Sequence, residues 1–417
     1  MKEGIIMKIE NRFLKYISFN TQSNPYSTVS PSTTGQKEFA QFLVEEMRIL
    51  GLKDVQMSEY GVVYGKIPAN NQHQGDVIGL IAHLDTSPDA SGQDIHPQII
   101  RHYDGKDISL KEERLLSPRE FPDLQKVIGH DLITTDGTTL LGGDDKAGIA
   151  IIMSMAEYMY KHPEFLHNDI MIAFTPDEEV GRGTEHFDLD IFQADYAYTI
   201  DGGDINQFHF ENFNAYQVLV DIIGQSIHPG SAKNKMVNSQ EVAMTFHSML
   251  PAGQKPQLTE GYEGFHHLVH MQGTCEKTHL EYIVRNHDYL ELKQQLNDFS
   301  RIQSYLNSFY GYEAIDITMH EQYLNMKDII KDHPHIIEQV ETAMEDVGLR
   351  PEITPIRGGT DGARLSFNGL PCPNLGTGGF YCHGPYEFVS ITMMKKGVEL
   401  LLRLVRNNVY AHEDIPF

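Results

Sequence analysis

Residues Ile170–Gly181, which read I-M-I-A-F-T-P-D-E-E-V-G, decide how the rest of the chain is organised. The apolar run Ile170–Phe174 predicts a strand that is buried on both faces. Pro176 ends that strand, because proline cannot donate a hydrogen bond to a β-ladder. Three carboxylates follow directly: Asp177, Glu178 and Glu179. Negative charge at the end of a buried strand is costly unless a cation lies beside it, and an ordinary acidic loop is the alternative interpretation.

Composition narrows the class of protein. A chain of 417 residues is long for one hydrophobic core and predicts two domains. The net charge of −25 argues against nucleic acid or an anionic membrane as a partner. The 3 cysteines show no C-x-x-C spacing, which is typical of a reducing compartment and excludes a thiolate zinc site. No signal peptide and no apolar stretch of about 20 residues is found, so we expect a cytoplasmic protein.

Other apolar runs end in polar groups in the same way. The predicted strand Val77–Ala82 leads into His83-Leu84-Asp85, and the predicted strand Tyr196–Ile200 leads into Asp201. Strands that alternate with helices predict an α/β sheet, and such sheets bind ligands at the carboxyl ends of their strands. A histidine with a nearby carboxylate is also the arrangement that orients an imidazole towards a metal. Taken alone, a hydrogen-bonded surface pair of His83 and Asp85 is the alternative.

Two further segments bring ionisable groups to loops. The stretch L-L-G-G-D-D-K-A-G, with Asp144 and Asp145, precedes an apolar helix predicted over Ile149–Tyr160, where a carboxylate is favourably placed. Simple capping of that helix is the alternative. Near the C-terminus, His383 lies in a glycine-containing turn. Residues 86–135, by contrast, are predicted to be irregular, which in a compact protein usually has a functional reason.

The combined set of side chains suits a pair of divalent cations. Histidine and carboxylate ligands without cysteine fit zinc, and one carboxylate can bridge two ions. Two such ions roughly 3.5–4 Å apart hold a water and lower its pKa. A carboxylate that is not a ligand is then needed to accept the proton of that water.

The pattern changes between residues 212 and 323. The order of predicted elements there is strand, helix, strand, strand, helix, strand, which resembles the α+β ferredoxin-like arrangement. The earlier pattern returns afterwards. We therefore predict one domain from residues 1–211 and 324–417, and a second domain, residues 212–323, inserted into it.

Several long motifs together resemble the peptidase T family of tripeptide aminopeptidases. The motifs are H-L-D-T-S-P-D, L-L-G-G-D-D-K-A-G, A-F-T-P-D-E-E-V-G, Y-T-I-D-G-G, H-P-G-S-A-K, G-Y-E-G-F, P-I-R-G-G-T-D-G-A and P-C-P-N-L. This family belongs to a di-zinc clan that also contains carboxypeptidases, dipeptidases and amino-acid deacylases. The resemblance implies a zinc-exopeptidase-like catalytic domain with a mixed sheet between helices, and two Zn²⁺ ions per subunit.

The resemblance also assigns roles to individual residues. It implies that one zinc is held by His83, Asp144 and Asp201, and the other by Asp144, Glu179 and His383. It further implies that Glu178 is the general base, that Asp85 orients His83, and that the bond between Asp144 and Asp145 is cis.

In the inserted domain the resemblance implies a lid that is also the contact of a homodimer. His228, in S-I-H-P-G-S, would then stabilise the oxyanion in the active site of the partner subunit. Arg285 and Arg357 are candidates for holding the carboxylate of the substrate, because a guanidinium matches a carboxylate bidentately. Ion pairs within this acidic protein are the alternative for both arginines.

Three functional hypotheses follow from the sequence. The first is a two-zinc aminopeptidase that removes the N-terminal residue of tripeptides. The second keeps this chemistry in a dipeptidase, a carboxypeptidase or a deacylase of the same clan. The third, a binding protein without activity, is disfavoured because the predicted ligands and Glu178 are all present.

Overall fold

The computed structural model describes residues 7–71 and 75–410. Its α-helices are, in chain order, α1 Ile9–Ile17, α2 Thr34–Ile49, α3 Gly143–Lys161, α4 Leu189–Phe192, α5 Ser239–Met249, α6 Tyr289–Tyr310, α7 Lys327–Ile330, α8 Pro334–Asp346, α9 Asp361–Phe367 and α10 Ile391–Tyr410. Short 3₁₀ helices span Pro122–Val127, Glu178–Val180, Pro229–Ser231 and Pro256–Leu258.

The strands fall into a few long elements and many short ones. They are β1 Lys53–Met57, β2 Val63–Ile67, β3 Ile78–His83, β4 Gln98–Ile100, β5 Ile108–Ser109, β6 Leu115–Leu116, β7 Leu132–Thr134, β8 Ile170–Thr175, β9 Tyr196–Ile200, β10 Gln207–His209, β11 Asn214–Ile223, β12 Phe265–Gly273, β13 Lys277–Asn286, β14 Ile315–Tyr323, β15 Glu352–Ile353, β16 Asn374–Leu375, β17 Gly379–Phe380 and β18 Phe388–Ser390.

The first compact unit is built on an eight-stranded mixed sheet in the order β1-β2-β8-β3-β9-β16-β10-β15. At its centre β8, β3 and β9 are parallel neighbours, so their carboxyl ends meet at one edge. The predicted central strand β8 is buried along its whole length. His83, the last residue of β3, lies opposite Thr175, the last residue of β8.

Alternation along β8 explains why helices cover both faces of this sheet. Ile170, Ile172 and Phe174 belong to a large core that also includes residues of α1, α2, α3, α8 and α10. Met171 and Ala173 point to the opposite face, into a smaller core that includes residues of α4 and α9. A strand with apolar side chains on both faces requires such a three-layer arrangement.

The second compact unit has the predicted ferredoxin-like order β11-α5-β12-β13-α6-β14. Its antiparallel sheet has the strand order β12-β13-β11-β14. One core packs residues of this sheet against α5 and α6, for example Val220 and Tyr282 against Phe246 and Phe299.

The boundaries of the two units differ from the predicted residues 212–323. The first unit comprises the described residues up to Phe210, Asp328–Thr354 and those from Thr360 onwards, and the second comprises Glu211–Lys327 and Pro355–Gly359. The short segment joins the second unit because Arg357 donates hydrogen bonds to carbonyl oxygens of that unit and lies over an aromatic ring there. A sequence pattern of helices and strands does not reveal such contacts.

Residues 86–135 are less irregular than predicted. They contain β4, β5, β6 and β7 as well as a 3₁₀ helix. The strands β4 and β7 form a small sheet with β18 and β17, in the order β17-β18-β7-β4. These strands have two or three residues each, which is too short for a periodic pattern to show in the sequence.

Within residues 7–71 and 75–410, no helix has the length and apolar character that a membrane span requires.

Candidate metal centre

The parallel strands place three groups of polar side chains at one edge of the sheet. His83 ends β3 and Asp201 directly follows β9. After β8, a 3₁₀ helix begins with Glu178 and Glu179. Since these three strands are adjacent, residues that are more than 100 positions apart in the chain become neighbours.

Asp144 approaches the same edge from the start of α3. The preceding Gly142 has a φ of +79°, a left-handed conformation that favours glycine. The peptide bond between Asp144 and Asp145 is cis, as the resemblance implied. Asp144 Oδ1 lies 2.8 Å from His83 Nε2, and Asp144 Oδ2 lies 3.5 Å from His383 Nε2. Each oxygen of this carboxylate therefore faces a different histidine.

The ligand atoms form two groups that share Asp144. His83, Asp144 and Asp201 make one group, and Asp144, Glu179 and His383 make the other. Within each group the potential ligand atoms all lie within 4.8 Å of one another. The structure thus brings together the five residues that were predicted as metal ligands, in the two predicted sets.

Glu178 and Glu179 are adjacent but differ in their surroundings. Glu179 Oε2 lies 3.0 Å from His383 Nε2, whereas its Oε1 is buried without a hydrogen-bond partner among the described residues. Glu178 belongs to neither ligand group, yet it interacts electrostatically with His83, Asp201 and Glu179. The preceding Asp177 has a left-handed φ of +60° and turns the chain between the strand and these two residues.

Asp85 is fully buried and contacts both sides of the site. Its carboxylate accepts hydrogen bonds from the backbone amides of Glu178 at 3.0 Å and Glu179 at 3.2 Å. His83 Nδ1 lies 3.1 Å from the backbone oxygen of Asp85 and 3.4 Å from its carboxylate. The nearer partner of the imidazole is thus the main-chain oxygen, and the side chain of Asp85 mainly holds the Glu178–Glu179 backbone.

The crowding of acids at this edge shifts their pKa values. Burial raises the pKa of Glu178 well above its ordinary value. Burial and the charge of Asp144 raise the pKa of Glu179 to about 7 and also raise that of Asp201. Hydrogen bonds to Asp144 and Glu179 raise the pKa of His383 to about 11. Asp144 shifts in the opposite direction, because its interactions with His383 and His83 lower the pKa of its carboxyl.

These observations fit divalent cations. Each group offers one imidazole nitrogen and two carboxylates, a donor set that zinc and related ions accept. The unpartnered Glu179 Oε1 is a buried oxygen that a cation would satisfy. Burying unpaired carboxylates is unfavourable, so positive charge between them would stabilise the cluster.

The three remaining predicted residues lie in the second unit. His228 is exposed, and its Nδ1 accepts a hydrogen bond from the backbone amide of Gly230 at 3.1 Å. Arg285 donates to the backbone oxygens of Tyr216 and Val284 and to the side chain of Gln322.

Arg357 contacts one loop of the second unit. It donates to the carbonyl oxygens of Gly261, Glu263 and Thr259 and to the Thr259 hydroxyl. Its guanidinium also lies 5.0 Å from the centre of the Phe213 ring. In this conformation, both guanidinium NH₂ groups of Arg357 donate hydrogen bonds to oxygen atoms of the protein.

Sequence reasoning missed several buried charged residues around the site. Asp361 accepts a hydrogen bond of 2.7 Å from the Thr175 hydroxyl, and burial raises its pKa to about 6. Asp145 accepts from the backbone amide of His83 at 3.1 Å. Burial also lowers the pKa of Lys146 to about 7. Asp361 stands in the motif G-G-T-D-G-A and Asp145 beside a predicted ligand, and these positions were the available signals.

Comparisons with known proteins identify the family of this chain. The profile of peptidase family M20/M25/M40 matches residues 137–407. Peptidase T of Clostridium perfringens (strain 13 / Type A) is 49% identical over 406 residues, which are 97% of this chain and 100% of that protein. The chain therefore belongs to peptidase family M20/M25/M40 and, within it, to the peptidase T group.

Solved structures share the fold. Aminopeptidase PepT from Bacillus cereus superimposes with a TM-score of 0.77 at 21% identity and covers 97% of this chain and 100% of its own. A tripeptidase from Staphylococcus aureus gives a TM-score of 0.78 at 20% identity and covers 97% and 99%. The resemblance and the fold class predicted from the sequence motifs are confirmed.

Proposed function

We propose that this peptidase removes the N-terminal residue of tripeptides, with two Zn²⁺ ions as its cofactors and Glu178 as the general base. One observation carries the proposal: two groups of ligands share Asp144, and the half-buried Glu178 interacts with members of both groups without joining either. The membership in the peptidase T group supports the choice of substrate.

Five residues would hold the two ions. His83 and Asp201 would be ligands of one ion, Glu179 and His383 would be ligands of the other, and Asp144 would be a ligand of both. When bound, such ions lower the pKa of a shared water and polarise the carbonyl of the scissile bond. The remaining requirements of the reaction fall on the side chains of the protein.

Glu178 is suited to receive a proton. It belongs to neither ligand group, so its carboxylate would remain available to accept the proton of the water. Glu178 then passes this proton to the amine of the leaving dipeptide. Asp85 fixes the position of this base, because its carboxylate accepts the backbone amides of Glu178 and Glu179.

His228 would donate a hydrogen bond to the oxyanion. Because its Nδ1 accepts a hydrogen bond from the backbone amide of Gly230, the neutral form of the ring carries its proton on Nε2. The exposed position of His228 suits a donor that serves another molecule. We therefore include a homodimer, formed through the inserted domain, in which each His228 completes the site of the partner subunit.

Substrate length requires a second point of recognition. Arg285 and Arg357 are the proposed partners of the tripeptide carboxylate, although both hold protein oxygens in this conformation. A dipeptidase, a carboxypeptidase or a deacylase of the same family would use the same ions on another substrate. The sequence identity of 49% to a peptidase T, over 97% of this chain, favours the tripeptide aminopeptidase.

Removal of the metal tests the proposal. Purified protein treated with a chelator should lose its activity on a tripeptide, and added Zn²⁺ should restore it. Elemental analysis of active protein should give close to two ions per chain. Full activity in metal-free protein would refute the two-ion mechanism. Cleavage of N-blocked tripeptides as fast as of tripeptides with a free amino group would refute the aminopeptidase assignment.

A further inference from the structure

Glu387 is a buried carboxylate that lies four residues after His383 and was not among the predicted site residues. We propose that Glu387 is a positioning residue, which joins the turn that carries His383 to the loop that carries Asp144 and so sets the affinity for the metal ions. This inference rests on the proposed two-ion function.

Four consecutive backbone amides point at this one side chain. Glu387 Oε2 accepts from Leu141 at 2.6 Å and from Gly142 at 2.9 Å. Its Oε1 accepts from Gly143 at 2.6 Å and from Asp144 at 3.2 Å. We call the amides of Leu141–Asp144 the amide cradle. Hydrogen bonds from amides to an ionised carboxylate are among the stronger ones in proteins, and four of them fix the path of the backbone up to Asp144.

The amide cradle is shaped for this carboxylate. Gly142 adopts the left-handed φ of +79° that turns the amides towards one point. A Cβ on Gly143 would lie 3.0 Å from Glu387 Oε1 and 2.3 Å from Val389 Cγ2. A larger residue at Gly143 would therefore displace Val389 first and would also crowd Glu387.

The other end of Glu387 is tied to the turn of His383. The backbone amide of Glu387 donates to the carbonyl oxygen of Gly384 at 3.2 Å, which closes the turn directly after His383. His383 itself has a left-handed φ of +68°. The two ends of Glu387 thus connect a ligand of one proposed ion, His383, with the bridging ligand Asp144.

The geometry makes a specific prediction for metal affinity. In Glu387→Gln one oxygen becomes an NH₂ group, which faces two amide donors of the cradle and repels them. We expect the loop to shift and the affinity for Zn²⁺ to fall about 10–100-fold, the range found when outer-shell partners of metal ligands are changed. The measurement is competition for Zn²⁺ between the full-length protein and a chromophoric chelator.

Glu157→Gln is the matched control. Glu157 is also buried, lies on α3 and pairs with Arg12 at 2.9 Å, but it contacts none of the proposed ligands. Both variants should lower the melting temperature, because each disturbs a buried carboxylate. Only Glu387→Gln should lower the affinity for Zn²⁺, and this difference separates positioning of the metal site from general stability.

Three outcomes would overturn the inference. One is a folded Glu387→Gln variant that binds Zn²⁺ within twofold of the parent, and another is an equal loss of affinity in Glu157→Gln. If Glu387→Gln does not fold, the same measurement is made on Glu387→Asp, whose side chain is one methylene shorter. An affinity of this variant for Zn²⁺ within twofold of the parent would then overturn the inference. A parent protein that binds no Zn²⁺ would refute the proposed function together with this inference.

Discussion

The adjacent residues Glu178 and Glu179 allow the proposed base to be separated from a proposed ligand. Both are changed to glutamine, which keeps the size of the side chain and removes its charge. Glu179 Oε2 lies 3.0 Å from His383 Nε2, and its Oε1 has no partner among the described residues. Glu178 belongs to neither ligand group. The two variants should therefore fail in different ways.

The expected magnitudes follow from these contacts. Glu178→Gln loses a general base, which typically lowers kcat by about 10²–10⁴, or roughly 3–5 kcal/mol in activation free energy. Its metal content should stay near that of the parent. Glu179→Gln loses a ligand, so its affinity for Zn²⁺ should fall by more than the about 10–100-fold typical of an outer-shell partner.

The assay combines tripeptide turnover with elemental analysis of the same samples. Excess Zn²⁺ should restore part of the activity of Glu179→Gln and none of the activity of Glu178→Gln. The reasoning is refuted if Glu178→Gln loses its metal while Glu179→Gln retains it and only turns over more slowly. That result would exchange the two roles.

Three other predictions test the surroundings of the site. Asp85→Asn removes one of the two charge-assisted hydrogen bonds that hold the backbone of Glu178 and Glu179, each worth about 1.5–3 kcal/mol. The value of kcat should therefore fall about tenfold or more. An unchanged kcat would contradict the proposal that Asp85 fixes the position of Glu178. Amidation of the C-terminus of a tripeptide should lower kcat/KM about tenfold or more, and equal values for acid and amide would remove the proposed role from Arg285 and Arg357. His228→Ala and Glu178→Gln proteins, each nearly inactive, should regain about a quarter of parental activity after subunit exchange, if half of the dimers are mixed. Mixed dimers without activity would mean that His228 does not act across the interface.

The strands that place the site were predictable because each has an apolar run long enough to be recognised in the sequence. The apolar run of β8 and its abrupt acidic end predicted a buried strand, and the structure gives Ile170–Thr175. The predicted strand Tyr196–Ile200 has the same bounds in the structure. Parallel neighbours then bring strand ends together whatever the loops between them do. Strand ends account for the positions of His83, Glu179 and Asp201, whereas the assignment of the five ligands, Asp144 and His383 included, came from the resemblance to peptidase T.

The short elements were not predictable. Strands of two residues, such as β16 and β17, have no period, and their partners come from distant parts of the chain. The same holds for the Pro355–Gly359 segment, which joins the second unit through the contacts of Arg357. In both cases tertiary contacts decide the structure, and the local sequence does not record them.

Contacts between buried carboxylates and backbone amides were the other feature that the sequence did not reveal, even for Asp85, which was predicted only to orient His83. Asp85, Asp145 and Glu387 each accept hydrogen bonds from main-chain amides beside a proposed ligand. An amide donor exists at every residue except proline, so no partner side chain marks such a contact in the sequence. The sequence therefore predicts ligands, which depend on residue type, more readily than the residues that hold the ligands in place.

This difference changes the interpretation of the acidic clusters. In D-E-E and in G-G-D-D-K the adjacent acids have different contacts: Asp144 and Glu179 belong to the ligand groups, whereas Asp145 accepts a hydrogen bond from the backbone amide of His83. Charge alone would make such neighbours repel one another. In the structure, however, Asp145 and Asp85 accept hydrogen bonds from backbone amides, and the left-handed φ of Asp177 turns the chain before Glu178 and Glu179. The candidate ligands are thus accompanied by further acids that fix the backbone, and Glu387 holds the loop of Asp144 through the amides of Leu141, Gly142, Gly143 and Asp144.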